Sequence, residues 1–324
     1  MTQYEQQILD FKNEILKANF NFDFLEERIF NFQIEYNPIF KEFSEYSNQS
    51  KPFLPISAFK SSKVIAFKDD PIGYFESSGT TEQNTSRHYF RSKGLYHQVA
   101  LTIFETHFGN IQNKVIFALL PNYLEKEHSS LVDMVKMLKD KSGNNSGGFY
   151  LYNHKELQSE LMKMQETSKE VVLFGVSFAL LDYINEVGIT EGSHITIIET
   201  GGMKGRKKEI IRDELHQIIR SGFPQATISS EYGMTELFSQ AYLQDDGWFK
   251  PGYSMRVFTT EINDPYARER CGKTGIINVI DLANVETCSF ITTEDLGIVR
   301  EDGCFKVLGR LDHSDRRGCN LMIE

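Results

Sequence analysis

Tyr74-Phe75-Glu76-Ser77-Ser78-Gly79-Thr80-Thr81 runs from aromatic residues into two serines, a glycine and two threonines. A short loop so rich in hydroxyls, with one glycine, brings side-chain O–H and backbone N–H donors to a single point. That arrangement holds a polyphosphate without a dedicated cation. The stretch lacks the G-x-x-x-x-G-K-[ST] spacing of the Walker loop. The same composition also makes an ordinary turn, so its neighbours along the chain decide between the two.

Downstream, strands alternate with helices. Helical periodicity covers Ser92 to Gly109, Ser129 to Lys139, Lys155 to Ser168, Ser177 to Val187 and Lys204 to Ser221. Short apolar runs between them read as buried strands: Lys114 to Leu120, Glu170 to Gly175, His194 to Glu199 and Ala226 to Ser230. Alternation of this kind predicts an α/β sheet with parallel strands. Upstream, Ile8, Phe11, Ile15 and Leu16, then Phe24, Leu25, Ile29 and Phe30, fall at helical intervals and predict two or three N-terminal helices. Pro52-Phe53-Leu54-Pro55 is extended, because two prolines three apart forbid a helix. From about Gly252 the texture changes to short β-like runs at Met255–Thr260, Thr274–Asp281, Phe290–Thr293, Gly297–Arg300 and Phe305–Leu308, a small antiparallel or barrel-like subdomain.

Two further stretches carry chemistry. Glu199-Thr200-Gly201-Gly202 ends a buried strand and opens a helix, and its glycines let backbone approach a ligand where α/β sheets bind one. A tight strand-to-helix turn reads the same way. In Tyr232-Gly233-Met234-Thr235-Glu236, preceded by Glu231, a flat aromatic can lie along a purine and Thr235 can donate to a phosphate oxygen. Glu236 can hold Mg2+, which needs one carboxylate when phosphate and water supply the other oxygens. An isolated pentapeptide of this kind is also a common surface loop.

Composition narrows the class. With 35 Lys and Arg against 45 Asp and Glu, the net charge of −10 over 324 residues disfavours nucleic acid and anionic membrane. The one dense basic run, Lys204 to Lys208, reads as the opening turn of a helix. No apolar run approaches the roughly 20 residues of a membrane span, and the polar N-terminus shows no signal or transit peptide, so a cytoplasmic address is expected. The cysteines Cys271, Cys288, Cys304 and Cys319 form no C-x-x-C pair and have no histidine at zinc spacing.

Ser-Ser-Gly-Thr-Thr, Glu-Thr-Gly-Gly, Tyr-Gly-Met-Thr-Glu and Gly309-Arg310-Leu311-Asp312 occur in the order of the motifs of adenylate-forming (AMP-binding) enzymes, which the chain resembles. Pro52-Phe53-Leu54-Pro55-Ile56-Ser57-Ala58-Phe59-Lys60, just ahead of the hydroxyl loop, is similar to the run found in acyl-protein synthetases of the LuxE type and in phenylacetate-type ligases. The resemblance implies an α/β large domain of mixed parallel sheets flanked by helices, a small β-rich subdomain and a truncated C-terminus. It divides the chain into an N-terminal helical segment (1–50), an α/β core binding ATP and acyl group (51–251), the β-rich subdomain (252–308), and a hinge with a short remnant (309–324). It implies ATP at Ser77, Ser78, Gly79, Thr80, Thr81, Gly201, Gly202, Glu231, Tyr232 and Gly233, and Mg2+ on Glu236 with Thr235 beside it. The resemblance further implies that Asp295 of Thr293-Glu294-Asp295 holds the ribose and that Arg310 contacts ribose or phosphate. The chain departs from the pattern at Glu82 and Glu294, where the family has glycine, and Arg87 is the residue placed to supply the cation missing from the phosphate loop.

The family's mobile C-terminal domain and its lysine are expected to be lacking, and Cys319, beside Arg316 and Arg317, occupies the position of the acyl-accepting cysteine of the LuxE-type enzymes. Adjacent arginines favour a thiolate. The expected activity is activation of a fatty or other carboxylic acid to acyl-AMP, then transfer to Cys319 and on to an acyl reductase or acyl carrier protein. Two alternatives stand beside it: a ligase that passes the acyl group to CoA or a carrier thiol, and a non-catalytic acyl- or nucleotide-binding relative.

Overall fold

The computed structural model describes residues 2–17, 19–47, 49–77, 85–121, 127–201, 210–264 and 267–311. The chain forms two compact units, Met1–Lys68 with Gly247–Glu324, and Asp69–Asp246.

The first unit begins with helices α1 (Gln3–Ile15), α2 (Phe22–Tyr36) and α3 (Pro38–Tyr46). Each start is written locally. Thr2 and Glu5 form a reciprocal capping box on α1, Asn21 caps α2, and Asn37 caps α3 ahead of Pro38 in its first turn. The proline-rich segment becomes strand β1 (Leu54–Pro55) and the short helix α4 (Ala58–Ser61).

The second unit opens with a hairpin, β2 (Gly73–Glu76) and β3 (Arg87–Phe90), paired so that Glu76 faces Arg87. Then come α5 (Gly94–Phe108), β4 (Lys114–Leu119), α6 (Ser130–Ser142), β5 (Phe149–Tyr150), α7 (His154–Met164), β6 (Glu170–Val176), α8 (Ser177–Val187), β7 (Ile195–Thr200), α9 (Arg212–Gly222), β8 (Thr227–Tyr232) and β9 (Ala241–Leu243). The sheet order is β9-β8-β7-β6-β4-β5, parallel throughout except for β9. Helices α6, α8 and α9 pack on β4, β6 and β7, and β8 respectively. The central strands β4 and β6 are almost wholly apolar because a parallel sheet carrying crossover helices is buried; all of β4 and all but the first residue of β6 are buried. The α/β fold expected from the alternation is the fold observed.

One expected helix is shorter. The run from 204 yields α9 only from Arg212: Ile211 is extended, and 202–209 lie outside the described residues. Asp213 and Glu214 in the first turn suit the positive end of the helix.

The chain then returns to the first unit as β10 (Phe249–Pro251), β11 (Met255–Thr260), β12 (Thr274–Asp281), β13 (Phe290–Val299) and β14 (Phe305–Arg310), in the antiparallel order β11-β12-β13-β14-β10, with β1 parallel to β13. The two separate runs expected at Phe290 and Gly297 are one strand of 10 residues, whose pairing with β14 shifts register between Leu296 and Gly297. Among the described residues no helix is long and apolar enough to cross a membrane.

The N-terminal helices are held to this sheet by polar groups as well as by Phe30 and Phe40 around Phe290. Gln33 is fully buried in α2. Its Nε2 reaches the carbonyls of Asn284 (3.0 Å) and Val285 (3.1 Å), and its Oε1 accepts from the Ser289 amide at 2.9 Å. Asn37 Nδ2 donates to the Thr287 carbonyl at 2.8 Å. Gln33→Leu would strand the Val285 carbonyl and the Ser289 amide in the interior, at a cost of about 1–3 kcal/mol each where no water enters, while the Asn284 carbonyl keeps the Thr287 amide. A clear fall in the urea midpoint is expected, and a midpoint equal to that of the parent chain would show that the bridge contributes nothing.

Candidate active site

In the second unit β7 and β8 lie side by side with Glu199 opposite Ser230 and Thr200 opposite Glu231. The two chemistry-bearing stretches therefore leave the sheet together, at the carboxyl ends of adjacent parallel strands, where open α/β sheets take ligands. Gly201 turns the chain with φ +74°, a conformation that favours glycine. Gly233 has a different reason: a Cβ there would sit 2.0 Å from Glu231 Oε1, so glycine leaves room for the carboxylate.

Polar groups bind the two strand ends to each other and to the helices behind them. Thr200 Oγ1 donates to Glu231 Oε2. Glu199, 4% exposed, meets Ser177 Oγ through Oε1 and Ser230 Oγ through Oε2 at 2.7 Å. Ser177 Oγ also lies 2.9 Å from the Gly201 carbonyl oxygen, and His216 Nε2 lies 2.9 Å from Ser230 Oγ.

Burial raises the pKa of the Glu199 carboxyl, with its hydroxyl partners and Arg212 opposing. Glu231 is partly accessible but ringed by protein, and burial pushes it up to about 7; Thr200 opposes the shift and Glu199 adds to it. His216 is lowered to about 4 by burial and by Arg212 and Arg220, which leaves its ring neutral.

The turn after β8 brings Thr235 and Glu236 back against the sheet, with Glu236 only 5% exposed. His88 on β3 secures this turn. Its Nδ1 is 2.9 Å from the Thr235 carbonyl and its ring stacks on Phe238, centroids 4.4 Å apart and planes 14° from parallel. Burial lowers His88 to about 4, so the neutral ring donates from Nδ1. The same hairpin carries the base of the hydroxyl loop. Ser77 N donates to the Ser86 carbonyl (3.0 Å), and Ser86 N donates to Ser77 Oγ (2.9 Å). Arg87, expected to supply a phosphate cation, is ion-paired with Glu76 at 3.0 Å across the hairpin and lies over the Tyr74 ring.

In the first unit, Asp295 is buried within β13 and Arg310 ends β14. Arg310 Nε donates to Asp295 Oδ1 at 3.1 Å, and the Asp295 amide donates to Thr293 Oγ1 at 3.0 Å. Glu294, where the resemblance calls for glycine, receives the Leu311 amide on its carbonyl. The fold thus places Gly201, Glu231, Tyr232, Gly233, Thr235 and Glu236 at one sheet edge, with Ser77 at the end of β2. Ser78, Gly79, Thr80, Thr81, Gly202 and Cys319 lie outside the described residues. Residue-by-residue reading placed Glu199 in a chemistry-bearing stretch without giving it a role, and did not single out Ser177, His216 or His88. Their types are ordinary for a helix or strand, and only the register of β7, β8 and β3 reveals what they touch.

Comparison with known proteins agrees with this architecture. No protein-family model matches the chain. The chain is similar to the long-chain-fatty-acid–luciferin-component ligase of Vibrio harveyi, 24% identical over 310 residues, which are 84% of this chain and 77% of that protein. The ligase of the same name from Aliivibrio fischeri is 24% identical over 183 residues, 50% of this chain and 47% of that protein. Among solved structures, ATP-bound MatB from Rhodopseudomonas palustris superposes with TM-score 0.54 at 16% identity, over 76% of this chain and 49% of that one. A long-chain-fatty-acid-CoA ligase (FadD1) from Archaeoglobus fulgidus gives TM-score 0.56 at 12% identity, over 79% and 55%.

The chain has the fold of the adenylate-forming enzymes.

It spans about half the length of these solved adenylate-forming structures, and the relatives it matches by sequence are named as fatty-acid ligases. The O-succinylbenzoate Coenzyme A synthetase (MenE) of Bacillus subtilis, solved with ATP and magnesium ion, shares the fold at TM-score 0.54 and 17% identity, over 77% of this chain and 53% of that one.

The raised Glu231 pKa has a stability consequence of known sign. Between its ordinary value of 4.5 and its folded value of about 7, the folded chain holds a proton that the unfolded chain has released. Glu231 therefore favours the folded state at the acid end of this window, and that advantage is lost as pH rises through it. Glu231→Gln should flatten this part of the profile and make the protein relatively more stable on the alkaline side. Urea midpoints of both proteins across the window check this, and parallel profiles would show that Glu231 is not the group responsible.

Proposed function

We propose that the chain is an ATP-dependent acyl-activating ligase that converts a fatty acid to acyl-AMP and transfers the acyl group to a thiol. The observation carrying this reading is the convergence of Glu199-Thr200-Gly201 and Tyr232-Gly233-Met234-Thr235-Glu236 at the carboxyl ends of two adjacent parallel strands. Similarity to the luciferin-component ligases over 84% of the chain supports the choice of a fatty acid.

ATP is a substrate in this scheme. The Ser77, Ser78, Gly79, Thr80 and Thr81 hydroxyls and amides, with the Gly201-Gly202 turn, cradle its phosphates, and Thr235 donates to a phosphate oxygen. Glu231 and Tyr232 lie beside the nucleotide, Gly233 leaves room for the Glu231 carboxylate, and Asp295 and Arg310 serve the ribose and a phosphate. The donor set suits magnesium: Glu236 offers one hard carboxylate, which suffices when phosphate and water supply the remaining oxygens. When bound, the ion neutralises phosphate charge. A carboxylate oxygen of the acid bonds to the α-phosphorus as its bond to pyrophosphate breaks, giving acyl-AMP. A thiolate then bonds to the acyl carbon and expels AMP. The thiolate is Cys319, which follows Arg316-Arg317 closely in the sequence, a neighbourhood that favours the charged form, and the acyl group passes on to an acyl reductase or carrier protein. In the second reading CoA is the acceptor, an idea favoured by the likeness in fold to an enzyme named as a CoA ligase.

Incubation with ATP, Mg2+ and radiolabelled fatty and aryl acids tests the scheme. Glu236→Ala should lower acyl-AMP formation by roughly 100-fold or more, the scale of losing a key electrostatic group. Cys319→Ser should leave acyl-AMP formation intact and abolish hydroxylamine-sensitive label on the protein. Acyl-AMP without protein label in the parent chain retires Cys319 in favour of an external thiol. Failure to form acyl-AMP with any acid, with Glu236→Ala changing nothing, would leave a non-catalytic binding module.

A further inference from the structure

The hydrogen bonds around Glu199 can be read by counting protons. Ser177 Oγ has one proton to donate and two oxygens within reach, Glu199 Oε1 and the Gly201 carbonyl. A backbone carbonyl only accepts, so the contact with Gly201 takes the Ser177 proton. The contact between Ser177 and Glu199 Oε1 is then two facing lone pairs unless the carboxyl itself carries a proton. On the other side, Glu199 Oε2 must accept from Ser230, which leaves the Ser230 oxygen to accept from His216 Nε2–H. Among the described residues Ser177 is the donor that reaches that carbonyl, and with it one assignment satisfies all four contacts.

We infer that Glu199 is a neutral carboxylic acid and the pivot of a directed chain that positions the Gly201 turn. The chain runs from His216 Nε2–H to Ser230, from Ser230 O–H to Glu199 Oε2, from Glu199 Oε1–H to Ser177, and from Ser177 O–H to the Gly201 carbonyl. The surroundings agree. Burial disfavours the Glu199 carboxylate, and a neutral His216 is the form that both accepts burial and donates from Nε2. Among the described residues, the charged groups facing Glu199 are Arg212 at the start of α9, which favours ionisation, and Glu231 on β8, which opposes it. When Glu199 ionises, Ser177 turns its single proton to the carboxylate and the Gly201 carbonyl loses its donor. Glutamine is the permanent mimic of the neutral acid, since its amide nitrogen donates to Ser177 and its carbonyl accepts from Ser230.

Two measurements on the full chain test this. Difference infrared spectroscopy of the parent chain against Glu199→Gln at pH 7 should show the C=O stretch of one protonated carboxyl, and carboxylate bands alone would overturn the assignment. The second measurement rests on the proposed ligase reading. In ATP–pyrophosphate exchange, Glu199→Gln should stay within about threefold of the parent at neutral pH and should lack the fall in rate that the parent shows as rising pH ionises Glu199. Glu199→Ala and Ser177→Ala should lose about tenfold or more, the equivalent of one net hydrogen bond, with circular dichroism confirming that they fold. A Glu199→Gln protein as impaired as Glu199→Ala would overturn the positioning role. No exchange in the parent chain would sink the ligase reading instead, while the infrared result still decides the state of Glu199.

Discussion

The parallel register of β7 against β8, with Thr200 beside Glu231 and Glu199 beside Ser230, sets the position of nearly every group at the candidate site of the second unit. A slip of one residue would turn each side chain to the opposite face of the sheet. Glu199 would then lose both hydroxyl partners, and Thr200 would no longer reach Glu231. The apolar residues bury both faces of the sheet, with Ile195, Ile197 and Ile198 in β7 and Val171 to Phe174 in β6, so it is the polar pairs at the strand ends that distinguish this register from a shifted one.

In and against this sheet the fold admits two carboxyls, two histidines and several hydroxyls. Such groups are costly to bury unless each meets a partner. Here the cost is met by pairing and by neutrality: burial favours the protonated form of Glu199 and Glu231 and the deprotonated form of His88 and His216. These groups stand where the strand ends open toward the motif turns, and perturbed titration at such an edge is a mark of functional sites.

In the first unit polar groups hold the N-terminal helices to the β-rich segment. Gln33 and Asn37 lie on one face of α2 and its end, four residues apart, and both seek backbone atoms in the loop between β12 and β13. Lys12 of α1 adds an ion pair to Glu286 in the same loop at 2.6 Å. The loop carbonyls and the buried side-chain amides of the helices satisfy each other, which explains why segments more than two hundred residues apart share one unit.

The alternation of apolar strands and amphipathic helices was legible because period-2 and period-3.6 patterns are properties of neighbouring residues. Helix α8 and strands β11 and β12 fall where that reading puts them, and the glycine-bearing turns after β7 and β8 follow from the same local logic. Strands β2 and β3 were not legible: four residues are too few to show a period, and their pairing is a tertiary fact. The joining of the Phe290 and Gly297 runs into one bulged strand likewise depended on β12 and β14. Side-chain partnerships were the least visible. That Gly233 is needed by Glu231, that His88 serves Thr235, and that Ser177, Glu199, Ser230 and His216 form one chain could be decided only by the packed sheet. Sequence determines local periodicity and the kinds of group available; which distant groups meet, and therefore which carry a proton, depends on register and burial that arise only when the strands are laid side by side.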